Sequence, residues 1–137
     1  MKLLIIIEKG DGVLWGRIEN KGEFLPVTAG KNAKEIIKNM SDLVAGYQQH
    51  EDRNDAAWKK VDVKKVQWEL RYDVQSFFME HNYLTASIIA KRAGINPGLM
   101  RQYSSGVKHP SALQAKKIEA AIHTVAKELK AVSLCAA

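Results

Sequence analysis

The sequence contains few of the residues on which several large classes of protein depend. Its single cysteine, Cys135, excludes an intramolecular disulfide, so the fold requires no oxidising compartment. The apolar run at residues 3–7 stops at Glu8 and is shorter than the roughly 7–15 apolar residues of a signal peptide. No window approaches the roughly 18 apolar residues of a membrane span. We therefore expect a cytoplasmic protein that does not enter a membrane.

Residues for metal binding or catalysis are similarly scarce. The four histidines are scattered, with no pair at ligand spacing. Residues 10–12 lack the following Gly-Lys and helix of a phosphate-binding loop. A metal-dependent nuclease needs several convergent carboxylates, whereas the strand carboxylates are better explained as exposed strand charge: Glu8, Glu19, Glu23 and Glu69. We expect no enzyme activity, cofactor or metal, although a nuclease built on the N-terminal half stays an alternative.

The first half of the chain has the pattern of a small α+β domain. With 46% hydrophobic and 26% charged residues, the chain has the composition of a soluble globular protein. Residues 3–7 and 13–18 predict two strands joined by a turn. A third strand is predicted over residues 23–29, where Pro26 indicates an edge or a bulge because it cannot donate a hydrogen bond.

A capped helix and a fourth strand complete this predicted domain. Asn32 can cap the helix, and Glu35 lies three residues on, at the position of a capping box. Residues 48–60 are polar and aperiodic, which is typical of a loop. Residues 65–72 alternate polar and apolar side chains, which is typical of a half-buried strand. The predicted order is βββαβ over residues 1–72.

From Asp73 onward the apolar residues recur with a helical period. Four to five helices are predicted over residues 73–137, the first capped by Asp73 and the last one or two beginning at Ser111. We place the domain boundary between Tyr72 and Asp73. Residues 1–72 carry a net charge of +2 and residues 73–137 a net charge of +4. The basic second half is compatible with nucleic-acid binding.

The strongest functional signal lies in residues 85–106. Thr85 can cap one short helix, and Gly94 follows where a chain leaving a helix for a tight turn needs a positive φ. Asn96 and Pro97 then open a second short helix. The first helix is expected to bury three apolar side chains: Ile88, Ile89 and Ala93. Two short helices joined by a tight turn that contains Gly predict a helix-turn-helix.

This stretch resembles the helix-turn-helix domains of the Cro and phage-repressor class. The resemblance rests on the spacing of Ala90, Gly94 and Ile95. It continues through Tyr-Ser-Ser-Gly at residues 103–106 and Lys-His-Pro-Ser at residues 108–111. It implies that the second of the two helices enters the major groove of DNA.

The first half resembles the HicB antitoxin domain, a partial RNase H-like βββαβ module. The matching features are the strand–turn–strand start, Thr-Ala-Gly at residues 28–30 and the helix opening Ala-Lys-Glu-Ile at residues 33–36. HicB-family chains often pair this module with a C-terminal DNA-binding domain. The two resemblances together therefore imply an α+β chain with a toxin-binding domain at residues 1–72 and an all-α DNA-binding domain at residues 73–137.

The helix-turn-helix resemblance also implies which residues contact DNA. Five residues would lie on the groove-facing side of the recognition helix: Asn96, Gly98, Arg101, Gln102 and Ser105. Arg can bond guanine O6 and N7, and Gln can bond adenine N6 and N7. Thr85 and Lys108 would contact phosphate, which sets register and affinity without reading sequence.

Two features leave room for protein partners. The last predicted helix has an apolar stripe longer than a helix-turn-helix core requires, and its remainder is a candidate dimer interface: Ile118, Ala121, Ile122, Val125, Leu129 and Val132. Trp68 and Tyr72 share an apolar strand face and are interpreted as core. Trp15 and Trp58 are open between core and partner contact.

The resemblances imply the antitoxin of a type II toxin–antitoxin system. Such a protein neutralises a HicA-like ribonuclease toxin and represses its own operon by binding operator DNA as a homodimer or a higher homo-oligomer. The alternative is a helix-turn-helix transcriptional regulator without a toxin partner, whose N-terminal domain senses a ligand or only dimerises. A short neighbouring reading frame encoding a basic protein would favour the antitoxin.

Overall fold

The computed structural model describes residues 1–50 and 55–136, and the chain divides into two compact units, Met1–Glu80 and His81–Ala137. The elements of the first unit are, in order, β1 (Lys2–Gly10), β2 (Val13–Arg17), β3 (Val27–Gly30), α1 (Ala33–Gln48), α2 (Ala56–Lys59), β4 (Gln67–Tyr72) and α3 (Val74–Glu80). The described part of the second unit contains α4 (Ala86–Ala93), α5 (Pro97–Ser105) and α6 (Ala112–Lys130). The predicted α+β class is confirmed.

The four strands form one mixed sheet in the order β3-β2-β1-β4. β1 pairs antiparallel with β2 and parallel with β4, and β2 pairs antiparallel with β3. The predicted βββαβ order is present, but α2 lies within the predicted loop at residues 48–60, of which residues 51–54 are outside the described part. β3 begins only after Pro26, which has no N–H to donate to a neighbouring strand.

Helix α1 covers one face of the sheet. β3 and β4 run in the same direction at opposite edges of the sheet, so the chain must cross the sheet between them, and α1 makes this crossing. Its inward side buries Ile36 and Met40 in the same core as Ile5 of β1. A Cβ at Gly16 would lie 2.5 Å from Cγ2 of Ile36. Gly16 therefore allows the helix to approach β2 closely.

The start of α1 is held by side chains from two places. Oδ1 of Asn32 accepts a hydrogen bond from the N–H of Glu35 at 2.9 Å, which confirms the predicted cap. The N–H of Ala33 donates to the Glu80 carboxylate of α3, at 2.9 Å to Oε1. α3 therefore satisfies a backbone donor that a helix start leaves without an intrahelical partner.

Trp58 belongs to the core, which excludes the alternative that it is an exposed partner contact. Its side chain is 0% exposed, and its indole N–H donates to the carbonyls of Lys21 at 2.8 Å and Phe24 at 3.0 Å. Asp55, just before α2, accepts the backbone N–H groups of Glu23 at 2.7 Å and Phe24 at 3.0 Å. The hydrogen bond from Phe24 is the main cause that lowers the pKa of the Asp55 carboxyl.

Helix α3 belongs to the sheet unit, so the first unit ends at Glu80, whereas the sequence pattern predicts a boundary between Tyr72 and Asp73. The N–H of Asp73 and the hydroxyl of Ser76 both donate to the carbonyl of Ile7, at 3.1 and 2.9 Å. Asp73 does cap α3 as predicted, since Oδ1 accepts the N–H of Ser76 at 2.7 Å. Helical periodicity begins at Asp73, but the bonds to β1 decide where that helix packs.

The second unit has three helices in its described part rather than the predicted four to five, because α3 packs elsewhere and residues after Ser111 form one helix. Its core is formed by seven buried side chains: Ile89, Ala90, Ile95, Met100, Tyr103, Ile118 and Ala121. Ile88 is 57% exposed, so its predicted burial is wrong. Only the side of α4 that carries Ile89 and Ala90 is buried, and Ile88 lies outside it.

Replacing Trp58 by Phe should lower the free energy of unfolding by about 1–3 kcal/mol, because the carbonyls of Lys21 and Phe24 lose a part-buried donor. Chemical denaturation of the full chain measures this loss. Trp15→Phe is the control: its indole donates to the carbonyl of Gly10, but the side chain is 40% exposed. Equal losses in the two variants would contradict a core role for the Trp58 indole.

Candidate nucleic-acid interface

The turn between α4 and α5 has the geometry predicted from the sequence. Gly94 ends α4 with φ 71°, in the left-handed region that glycine adopts without strain. The N–H of Ile95 then donates to the carbonyl of Ala90 at 2.9 Å. Ile95 is 5% exposed and fills the space beneath the turn. These contacts set the direction in which α5 leaves α4.

Asn96 and Pro97 start α5 as predicted. Oδ1 of Asn96 accepts the N–H groups of Gly98 at 2.8 Å and Leu99 at 3.3 Å, and Pro97 occupies the first turn. The Asn96 side chain is exposed, but its oxygen is occupied by this cap. Only its amide N–H₂ group therefore stays available to donate to a ligand.

Helix α5 has one buried side and one exposed side. Met100 is 0% exposed and Tyr103 is 6% exposed. Arg101, Gln102 and Ser105 are exposed. Because side chains three and four residues apart share a helix face, these three polar residues form one outward surface, and the core fixes which way it points.

The exposed side begins at the first turn of α5. A Cβ built on Gly98 would lie 3.7 Å from Nη2 of Arg101 and 3.1 Å from Oδ1 of Asn96. The Arg101 guanidinium thus extends back beside Gly98, where the helix has no side chain of its own. The Arg101 guanidinium, a planar cation with five N–H donors, therefore lies beside the first turn of α5.

The C-terminal end of α5 places two more of the candidate residues. The Ser105 hydroxyl donates to the carbonyl of Gln102 at 3.2 Å, which is a local bond within the helix. The backbone N–H of Lys108 donates to the same carbonyl at 3.1 Å, and its side chain is exposed beyond the helix. Lys108 therefore has a fixed backbone position relative to α5.

Thr85 lies at the N-cap position of α4, but the capping hydrogen bond that its hydroxyl was predicted to make is absent. Its side chain is exposed. The structure thus brings five candidates together on α5 and its cap, and it places Thr85 and Lys108 at the start of α4 and after α5. The sequence pattern did not single out six further exposed cations of this unit: Lys91, Arg92, Lys116, Lys117, Lys127 and Lys130.

The net charge of the protein lies entirely in the second unit. From His81 onward the sequence has eight Lys and Arg against two Asp and Glu, a net charge of +6. The first unit has 13 of each and is neutral. A boundary after Tyr72 makes the difference in net charge between the two parts smaller, because it counts Asp73 and Glu80 with the second part.

An ion pair joins α4 to α6. Nη1 of Arg92 lies 2.8 Å from Oε1 of Glu128. Hydrogen bonding to Arg92 lowers the pKa of the Glu128 carboxyl, and the same bond raises the pKa of Arg92. The pair occupies an exposed surface and connects the first helix of the unit to its last.

Within the described residues, no group of three or more His, Cys, Asp or Glu side chains could hold a metal ion. Glu8 contacts Arg17 in an ion pair, and Glu69 lies 3.4 Å from Nζ of Lys2. No helix in the described ranges is both long enough and apolar enough to cross a bilayer.

The Glu128 carboxyl should titrate below its ordinary value, and Arg92→Gln should return its pKa toward that value. A lowered folded pKa contributes stability above the unfolded pKa of about 4.3, and this contribution is lost as the pH falls through the folded pKa. An NMR titration of the full chain measures the shift. The control is Lys91→Gln, which removes a neighbouring exposed charge and should leave the Glu128 pKa unchanged.

No family model, curated protein or solved structure matches this chain.

Proposed function

We propose that the second unit is a helix-turn-helix domain that binds operator DNA, with α5 as the recognition helix. The observation that carries the proposal is an exposed pair, Arg101 and Gln102, on a short helix whose opposite side is buried. This helix follows a tight turn at Gly94 and belongs to the unit with the whole net charge of +6. Positive charge concentrated on one domain attracts the phosphate backbone.

The exposed residues of α5 fit direct readout in the major groove. Arg101 can donate two hydrogen bonds to guanine O6 and N7, and Gln102 can both donate to and accept from adenine. The free amide group of Asn96 and the absence of a side chain at Gly98 let the N-terminal end of α5 approach base edges, as the first turn of a recognition helix does. Ser105 extends this surface by one turn.

Thr85 and Lys108 fit contacts to the phosphate backbone. The Thr85 hydroxyl is exposed and makes no cap bond, so it can donate to a phosphate oxygen. The Lys108 ammonium is exposed just beyond α5, on a backbone fixed by its bond to Gln102. Such contacts position the domain without reading sequence.

A second copy of the chain would supply the other recognition helix. The apolar stripe of α6 continues past the core into exposed residues, with Leu129 63% and Val132 59% exposed. Leu134, in the segment that follows, is 92% exposed. Pairing of these surfaces between two copies would remove apolar area from water and present two helices to a palindromic operator, one helical turn or a multiple apart.

The first unit is proposed to bind a HicA-like toxin, which makes the chain an antitoxin that represses its own operon. Support comes from the sheet, in which three antiparallel strands are followed by α1 and by a β4 parallel to β1, an arrangement that fits the partial RNase H-like module. The residues behind the HicB resemblance end β3 and begin α1. Neither role requires catalysis or a cofactor.

Trp15 is the proposed anchor for the toxin. Its side chain is 40% exposed on the sheet, and its indole N–H donates to the carbonyl of Gly10 at 3.2 Å. The ring is therefore exposed, and this bond restricts its orientation before binding. Preorganised aromatic side chains of this kind often carry much of the affinity of a protein interface.

Arg101→Ala should weaken operator binding by about 1–3 kcal/mol and relax the preference at one base pair in each half-site. Lys108→Ala should weaken binding to all sequences alike and reduce the salt slope by about one unit. Binding-site selection and salt titration on both variants measure these effects. Unchanged base preference in Arg101→Ala would show that α5 is not the recognition helix.

Trp15→Ala should reduce neutralisation of the cognate toxin, because it removes a preorganised contact from the toxin-binding unit. Co-expression of the full chain with a HicA-like toxin that the unmodified chain neutralises, scored by growth rescue, measures this. Arg101→Ala is the matched control and should rescue as well as the unmodified chain. Rescue that depends on Arg101 and not on Trp15 would overturn the assigned roles of the two units.

A further inference from the structure

A lysine-rich loop of the first unit is left unused by the proposed function. Residues 60–65, here named the lysine loop, connect α2 to β4 and read Lys-Val-Asp-Val-Lys-Lys. Lys60, Lys64 and Lys65 are exposed, whereas Val61 is 5% exposed and lies in the core. The lysine loop thus has exposed cations, and Val61 anchors it in the core.

The backbone of the lysine loop is tied to the folded unit. Nε2 of Gln48, the last residue of α1, donates to the carbonyls of Trp58 at 2.7 Å and Val61 at 2.6 Å. The N–H of Lys65 donates to the carbonyl of Asp62 at 2.9 Å, which closes a turn inside the loop. Its lysines are therefore attached to an ordered backbone, and less conformational freedom is lost when they bind.

The three lysines of the loop have no ion-pair partner among the residues the structure describes. Lys2 and Lys38 of the same unit, by contrast, each lie within reach of a carboxylate. The sequence of the loop contains one acidic residue, Asp62, whose carboxylate accepts the backbone N–H of Lys64 at 3.1 Å. A unit that is neutral as a whole therefore carries a local surplus of positive charge here.

We propose that the lysine loop binds the phosphate backbone of duplex DNA without reading its sequence. An ammonium group on a flexible stem acts as a point charge and suits phosphate contact rather than base readout. The choice of duplex DNA over RNA rests on the proposed function, because the helical unit of the same chain would act on that polymer. The lysine loop contributes sequence-independent affinity for the same polymer.

The test uses the full chain and a duplex of unrelated sequence, so that base readout by α5 makes no difference. Binding is followed by fluorescence anisotropy over a range of salt concentrations. The variant neutralises the three cations of the loop: Lys60→Gln, Lys64→Gln and Lys65→Gln. The matched control removes the same charge from other exposed lysines of the same unit: Lys9→Gln, Lys31→Gln and Lys34→Gln.

The loop variant should show a shallower salt dependence, with the slope reduced by about 0.9 for each phosphate that the loop no longer neutralises. The control should keep the slope of the unmodified chain. Equal slopes in the two variants would overturn the proposal. An effect seen with single-stranded RNA and not with duplex DNA would overturn it as well. Failure of the proposed function is read separately, from the base preference of Arg101→Ala on operator DNA.

Discussion

The first unit depends on β1, an inner strand that bonds to β2, to β4 and to the start of α3. β1 pairs with β2 on one edge and with β4 on the other, and its inward side chains Ile5 and Ile7 are fully buried in the core that α1 shares. The carbonyl of Ile7 also accepts two hydrogen bonds from the start of α3. These bonds assign α3, with Asp73 before it and Glu80 at its end, to the sheet unit, which leaves the net charge of +6 on the second unit. One strand thus determines both the core and the separation of charge.

The helical unit obtains its candidate surface from a few local contacts. Gly94 permits the turn, Ile95 fills the space beneath it and Asn96 caps the next helix. Burial of Met100 and Tyr103 then leaves Arg101 and Gln102 outside. The groups proposed to contact bases are exposed because Met100 and Tyr103 occupy the core. The orientation of α5 therefore sets both its packing and the surface proposed for recognition.

Both proposed surfaces of the first unit consist of exposed side chains on a fixed backbone. Trp15 is oriented by its bond to Gly10, and the lysine loop is tied to α1 by Gln48. Trp58 gives the loop a buried anchor just before it begins. In each case the interior contact restricts the surface group before any partner arrives, which reduces the entropy lost on binding.

The sequence by itself determined the features that depend on neighbouring residues: the order of the four strands and α1, the caps at Asn32 and Asn96 and the turn at Gly94. Caps and turns are predictable because their donors and acceptors lie within a few residues of each other. Only the tertiary structure decided the burial of Trp58, whose acceptors lie 34 and 37 residues away. It also decided the place of α3 and the exposure of Ile88, because an apolar periodicity predicts a helix without specifying which surface covers it.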